Sequence, residues 1–158
     1  MKISKLAIVA TIVASILLTS ACGNRVNIKE SYDQSEIKKV CVVTRYQDTG
    51  RRETLALEKF IQNSFDKLSI PTQQVQTVED ARDSGCSHYF LYSAKFKHTF
   101  TKKSSYKIYQ VNHNSTKFFP LANIGIKQKI YFDGSNGAQD IIDKVVTSLV
   151  TGQVNEDL

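Results

Sequence analysis

Between residues 37 and 152 the apolar positions switch between a spacing of two and a spacing of three to four, which predicts strands and helices in turn. Ile37–Arg45 (IKKVCVVTR) predicts a first strand, and its unbroken Val40–Val43 run suits a strand covered on both faces. Tyr46–Arg52 is a loop. Glu53–Ser69 has helical spacing, with Leu57, Phe60, Ile61, Phe65 and Leu68 on one stripe and Glu58, Gln62, Asn63 and Lys67 on the other side. Pro71 ends that helix, because the residue before a proline avoids helical dihedrals. Thr72–Thr77 predicts a second strand. Thr77 caps a brief helix over Val78–Ser84 with Asp80 in the reciprocal position, and Gly85 closes it. A strand–helix–strand start implies a parallel pair with a right-handed crossover.

Ser87–Phe100 predicts the longest strand: His88, Phe90, Tyr92, Ala94, Phe96, His98 and Phe100 alternate with Tyr89, Leu91, Ser93, Lys95, Lys97 and Thr99. Thr101–Ser105 reads as a polar turn, Tyr106–Asn112 as a fourth strand and Asn114–Pro120 as a second turn. Ala122–Phe132 predicts a fifth strand, with Ile124, Ile126, Ile130 and Phe132 on one face and Lys127, Lys129 and Tyr131 pointing the other way. After a turn over Asp133–Gly137, Ala138, Ile141, Ile142, Val145, Val146, Leu149 and Val150 form the wide apolar stripe of a last helix, which Gly152 ends. The expected fold is α+β: a mixed sheet of about five strands, in the order β-α-β-(short α)-β-β-β-α, with the two main helices on one face.

The N-terminal part has a different texture. Lys2 and Lys5 precede a run of apolar residues, Leu6–Leu18, and then Thr19-Ser20-Ala21-Cys22. Positive charge followed by a short apolar helix and small residues is the layout of a secretory signal, and the run is shorter than the roughly 20 residues that span a bilayer. The Thr19–Cys22 segment resembles the lipobox of bacterial lipoproteins, with Thr19 standing where leucine is commoner. The resemblance implies removal of residues 1–21 and a diacylglycerol on the Cys22 sulfur, so that the acyl chains anchor the protein. It also implies outer-membrane sorting in a Gram-negative cell, because Gly23 stands where an aspartate would retain the protein in the inner membrane. The polar stretch 22–36 reads as a lipidated tether, with an edge strand around Val26–Ile28 as the alternative. Residues 37–152 form one domain and 153–158 a fraying tail.

Charge and composition narrow the function classes. The formal charge of +6 falls to +4 once Lys2 and Lys5 depart, which suits contact with anionic lipid or glycan and is too dispersed for nucleic acid. Cys41 and Cys86 are the remaining cysteines, and outside the cytoplasm they can pair, or stay as two buried thiols. Without a Cys-x-x-Cys pair they carry no redox motif. His88, His98 and His113 lack partners at metal-ligand spacing, so no metal site, cofactor or catalytic set is legible. Arg45, Arg51 and Arg52 flank a loop whose lone Gly50 makes no phosphate-binding pattern.

The strongest interaction candidate is a cluster of Lys95, Lys97, His98, Lys102, Lys103 and Lys107, interleaved with Phe96, Phe100, Tyr106 and Tyr109. Cations beside aromatics suit phosphate or acidic sugar, and equally serve to blunt a hairpin against edge-to-edge aggregation. Beyond the leader, the chain resembles a group of small uncharacterised proteobacterial lipoproteins. The likeness rests on Val40-Cys41-Val42-Val43, the helix after it, Cys86 before the strand with Tyr92-Ser93-Ala94, and Ile124-Gly125-Ile126. The Trp-Asp pair usual in that group has no counterpart, as the chain has no Trp. The resemblance implies an envelope location and an α/β domain, and no activity. The expected function is a non-enzymatic, membrane-anchored envelope lipoprotein that binds a protein partner or an anionic component. The alternatives are a small hydrolase using His88, His98, His113, Asp80 or Asp83, and a structural subunit of an outer-membrane assembly.

Overall fold

The structure, a computed structural model, describes residues 24–30, 32–44, 51–112, 120–134 and 137–158. Its elements are β1 (Arg25–Ile28), β2 (Val40–Val43), α1 (Arg51–Lys67), β3 (Thr72–Val75), α2 (Val78–Asp83), β4 (His88–Lys97), β5 (Phe100–Gln110), β6 (Ala122–Ile126), β7 (Ile130–Tyr131) and α3 (Gly137–Thr151). The fold is α+β. Seven strands form one mixed sheet in the order β1-β6-β5-β4-β2-β3, with β7 added beside β5. β2 runs parallel to β3 and β4, and the other pairs are antiparallel.

Strand alternation sends two sets of side chains to opposite sides of the sheet. On one side Val40, Val42, Phe90, Tyr92, Tyr106, Ile108, Ile124 and Ile126 pack against Leu57, Ile61 and Phe65 of α1 and Ile142, Val145, Val146 and Leu149 of α3. Phe65 meets Phe90 edge-on at 5.4 Å between ring centres. Each fully buried side chain of this size contributes about 1.5–3 kcal/mol, so the stripes read from the sequence supply most of the apolar interior. On the other side Cys41, Val43, Val75, Ala81, Cys86, Tyr89 and Tyr109 make a smaller cluster under α2. The Thr77–Asp80 capping box that starts α2 is present. Cys41 and Cys86 are joined in a disulfide inside this cluster, with Cα atoms 5.8 Å apart.

Four local expectations change. The tether contains a strand: β1 pairs with β6, Arg25 opposite Gly125 and Ile28 opposite Ala122. The first hairpin turns at His98 and Thr99, not over Thr101–Ser105, and those residues belong to β5. Their polarity comes from an open strand face and a bulge. The fifth strand is interrupted at residues 127–129 into β6 and β7, both pairing with β5. At the other end of the chain Leu158 is buried in the main core, and Asn155 N–H donates to Ser148 Oγ at 3.1 Å. The tail therefore docks where fraying was expected.

The polar side of α1 is also less exposed than its pattern suggests. Glu58 is buried, accepting hydrogen bonds from the Tyr92 hydroxyl at 2.5 Å and from Gln74 Nε2 at 3.5 Å. Ser64 and Lys67 donate to Asp143 of α3, and Gln139 Nε2 donates to the same carboxylate at 2.8 Å. Burial alone would raise the Asp143 carboxyl. The Lys67, Ser64 and Gln139 hydrogen bonds, with the Lys67 charge, outweigh it and hold the group below its ordinary range.

Candidate binding face

The side of the sheet away from α1 and α3 is covered by α2 only over β2, β3 and the start of β4. Beyond the buried Tyr89 and Tyr109, across the rest of β4 and β5 and across β6 and β1, it stays exposed or half-buried, and the register defines what it displays. Ser93, Ser105, Gly125 and Arg25 lie side by side on the four strands. One step toward the hairpin tip, Lys95 stands directly opposite Lys103. Lys127, just past Ile126, takes the corresponding place next to Lys103, because Ile126 is the partner of Ser104. Its backbone N–H donates to Asn24 Oδ1 at 3.0 Å. One step the other way lie Leu91, Lys107, Asn123 and Asn27.

Lys102 joins this side through the bulge. Lys95 pairs with Lys103 while Phe96 pairs with Thr101, so Lys102 is the extra residue of β5. Thr101 and Ser104 are buried on the helix side, and the two lysines between them are exposed on the open side. Beyond, at the tip, Lys97 is opposite Phe100 and Phe100 opposite Tyr131. The two rings lie 5.4 Å apart and Lys129 Nζ sits 5.1 Å from the centre of the Phe100 ring, a cation–π contact. His98 forms the exposed turn with φ +54°, in the region that favours glycine.

Like charges directly opposite each other across two strands are destabilising. No carboxylate within these strands offsets the cost: β1, β4, β5 and β6 carry no Asp or Glu. The salt bridges Lys67–Asp143 and Lys144–Asp140 lie in the helix layer. The register puts Lys95, Lys97, Lys102, Lys103 and Lys107 on this side, whereas Tyr106 and Phe96, read as interleaved with them, pack into the helix-side core and Tyr109 is buried in the cluster under α2. Arg25, Lys127, Lys129 and Tyr131 extend the lysine group. The last three carried a signal, since they alternate with the apolar side of their strand, whereas Arg25 joins only through a pairing 100 positions away in sequence.

The other candidates lie apart. His88 is buried, its Nδ1 lies 3.0 Å from Ser87 Oγ, and burial holds its pKa below the ordinary 6.5. His88 and His98 flank β4 at opposite ends, roughly 30 Å apart at strand rise. Asp80 accepts the Thr77 N–H in the capping box, and Asp83 is exposed at the end of α2. His113, Arg45 and Cys22 lie outside the described residues. Among the described residues no three His, Cys, Asp or Glu side chains are grouped to hold a metal, and no helix is long and apolar enough to cross a membrane.

No family model and no curated protein matches the chain. Solved structures share its fold at low identity. The PelC dodecamer from Paraburkholderia phytofirmans superposes with a TM-score of 0.55 at 14% identity, covering 84% of this chain and 97% of that one. A methionine-substituted dodecamer of the same protein, in another crystal form, gives 0.52 at 12% identity, covering 80% and 97%.

Proposed function

We propose that this chain is an envelope lipoprotein, cleaved before Cys22 and anchored by lipid on that residue. Its domain is a non-enzymatic binding module that holds an anionic envelope component on the open side of the sheet. The observation that carries the reading is Lys95 standing opposite Lys103 on strands that have no carboxylate. Such a surface is unfavourable for an isolated domain and favourable for one that receives negative charge from a ligand. The leader pattern supports the location, and Gly23 supports sorting to the outer membrane of a Gram-negative cell.

The test is titration of the protein with a soluble polyuronate and with its neutral counterpart at two salt concentrations. Binding of the acidic polymer alone is expected, weakened by salt. The double substitution Lys95→Ser/Lys103→Ser is expected to weaken it by about tenfold or more, because a lysine near an anionic surface contributes about 1 kcal/mol. Equal binding of both polymers, or no effect of the double substitution, removes the reading.

A second reading is a subunit of a larger homo-oligomer. It is favoured by the dodecameric state of the structural neighbours, and by Leu55 and Val154, which are 50% and 43% exposed on this chain. Mass measurement after mild detergent extraction checks it: a defined multiple of the protomer is expected, and a monomer across the working concentration range eliminates it.

A further inference from the structure

The chain enters the sheet beside the cations. Asn24 is buried, and its side chain holds the backbone of Lys127, while Arg25, the first residue of β1, lies one step from the row Lys95, Lys103 and Lys127. Neighbouring strands are about 4.8 Å apart, which places this row within four strand widths of the entry point. Cys22 precedes Asn24 by two residues in the sequence, so a lipid on that cysteine would be joined to the domain through the start of β1. Past the row, at the hairpin tip, come Lys97, Lys129 and the exposed Tyr131. The start of β1, the cations and an exposed tyrosine therefore lie at one end of the domain.

The geometry points to a docking surface for the headgroups of an anionic bilayer, formed by Lys95, Lys97, Lys103, Lys127, Lys129 and Tyr131. The domain rests tip-down on the membrane that holds its lipid. This deepens the proposed function and rests on it, naming anionic phospholipid as the ligand of the open side. Charge complementarity supplies the attraction, and an anchor combined with a basic patch gives the two signals that stable membrane attachment takes. Tyrosine suits the headgroup level because its ring is apolar and its hydroxyl polar. Phe100, held between Lys129 and Tyr131, backs the ring that would meet the lipid.

The absence of tryptophan makes the test direct. The full protein, extracted from membranes, carries Tyr131→Trp and is reconstituted into liposomes that are either purely zwitterionic or contain phosphatidylglycerol. Leu55→Trp, on the exposed side of α1, is the control. The expected result is a blue shift and quenching by brominated lipid for the residue-131 reporter in the anionic liposomes only. High salt and the added Lys95→Ser/Lys103→Ser pair should abolish both signals, and the control should show neither. An unshifted residue-131 reporter, or equal shifts at 131 and 55, overturns the docking surface. If that protein still binds soluble polyuronate in a lysine-dependent way, the anionic-binding reading stands and only the membrane assignment falls. If it binds neither, both fall.

Discussion

Two neighbouring lysines on adjacent strands repel each other over a few ångströms, and water screens that repulsion only in part. Replacing Lys95 and Lys103 with serine is therefore expected to raise stability in low salt by about 0.2–1 kcal/mol while it weakens ligand binding. The gain should fade at high ionic strength. Urea midpoints at two salt concentrations check it, and a loss of stability would mark these side chains as structural. Two other residues contribute to acid stability. His88 is kept neutral by burial, with its pKa below the ordinary 6.5. Its contribution is complete above 6.5 and declines as pH falls through the lower folded value, because the unfolded chain then binds the extra proton. Asp143, also lowered, contributes fully above its ordinary 3.8 and loses that contribution as pH falls through its folded value. Urea unfolding followed from pH 7 down to about 3 should show two declines. His88→Gln should flatten the first and Asp143→Asn the second, and a single decline unaffected by either change would refute the assignment.

The disulfide and the helix ends act on whole elements. Cys41–Cys86 closes a loop with a sequence separation of 45, and its removal by a Cys41→Ala/Cys86→Ala pair is expected to cost about 3–4 kcal/mol. A denaturant midpoint unchanged by that pair would contradict this. Gly152 ends α3 with φ +67°, and an added Cβ would sit 2.5 Å from the Gln34 side-chain nitrogen. Gly152→Ala should therefore lower stability by about 1–2 kcal/mol through backbone strain alone, read as a drop in melting temperature. Elements with a long period were legible in the sequence: α1 and α3 show their stripes, and β2 its unbroken apolar run. β1 was legible only as the alternative around Val26–Ile28, because four residues carry little pattern until β6 lies beside them. The first turn was misplaced because Thr101–Ser105 is polar for two different reasons. Lys102 and Lys103 face the open side, while Thr101 and Ser104 are buried beneath it. Composition cannot separate a polar turn from a polar strand face; register does. The same holds for the candidate site, whose lysines were visible singly while their alignment with Arg25 and Lys127 depended on long-range pairing.

At the scale of the molecule, one side of the sheet holds the chain together and much of the other is free to meet something else. If lipid is attached at Cys22, mass spectrometry of the mature N-terminal peptide should show a diacylglycerol-modified cysteine followed by Gly23. Cys22→Ala should move the protein from the membrane fraction to the soluble or precursor pool. An unmodified N-terminal peptide recovered from membranes would contradict the anchor.

The crosslink between residues 41 and 86 has a separate consequence for durability. It turns α1, β3 and α2 into parts of one covalent ring. A protease that severs any single peptide bond within the ring opens the ring and releases no fragment. The nicked protein would run as one band until a reductant splits it. A cut between β5 and β6 has no such tie, and leaves β6, β7 and α3 held only by pairing and packing. Proteolysis run with and without reductant would thus divide this small domain into a half that survives nicking and a half that does not.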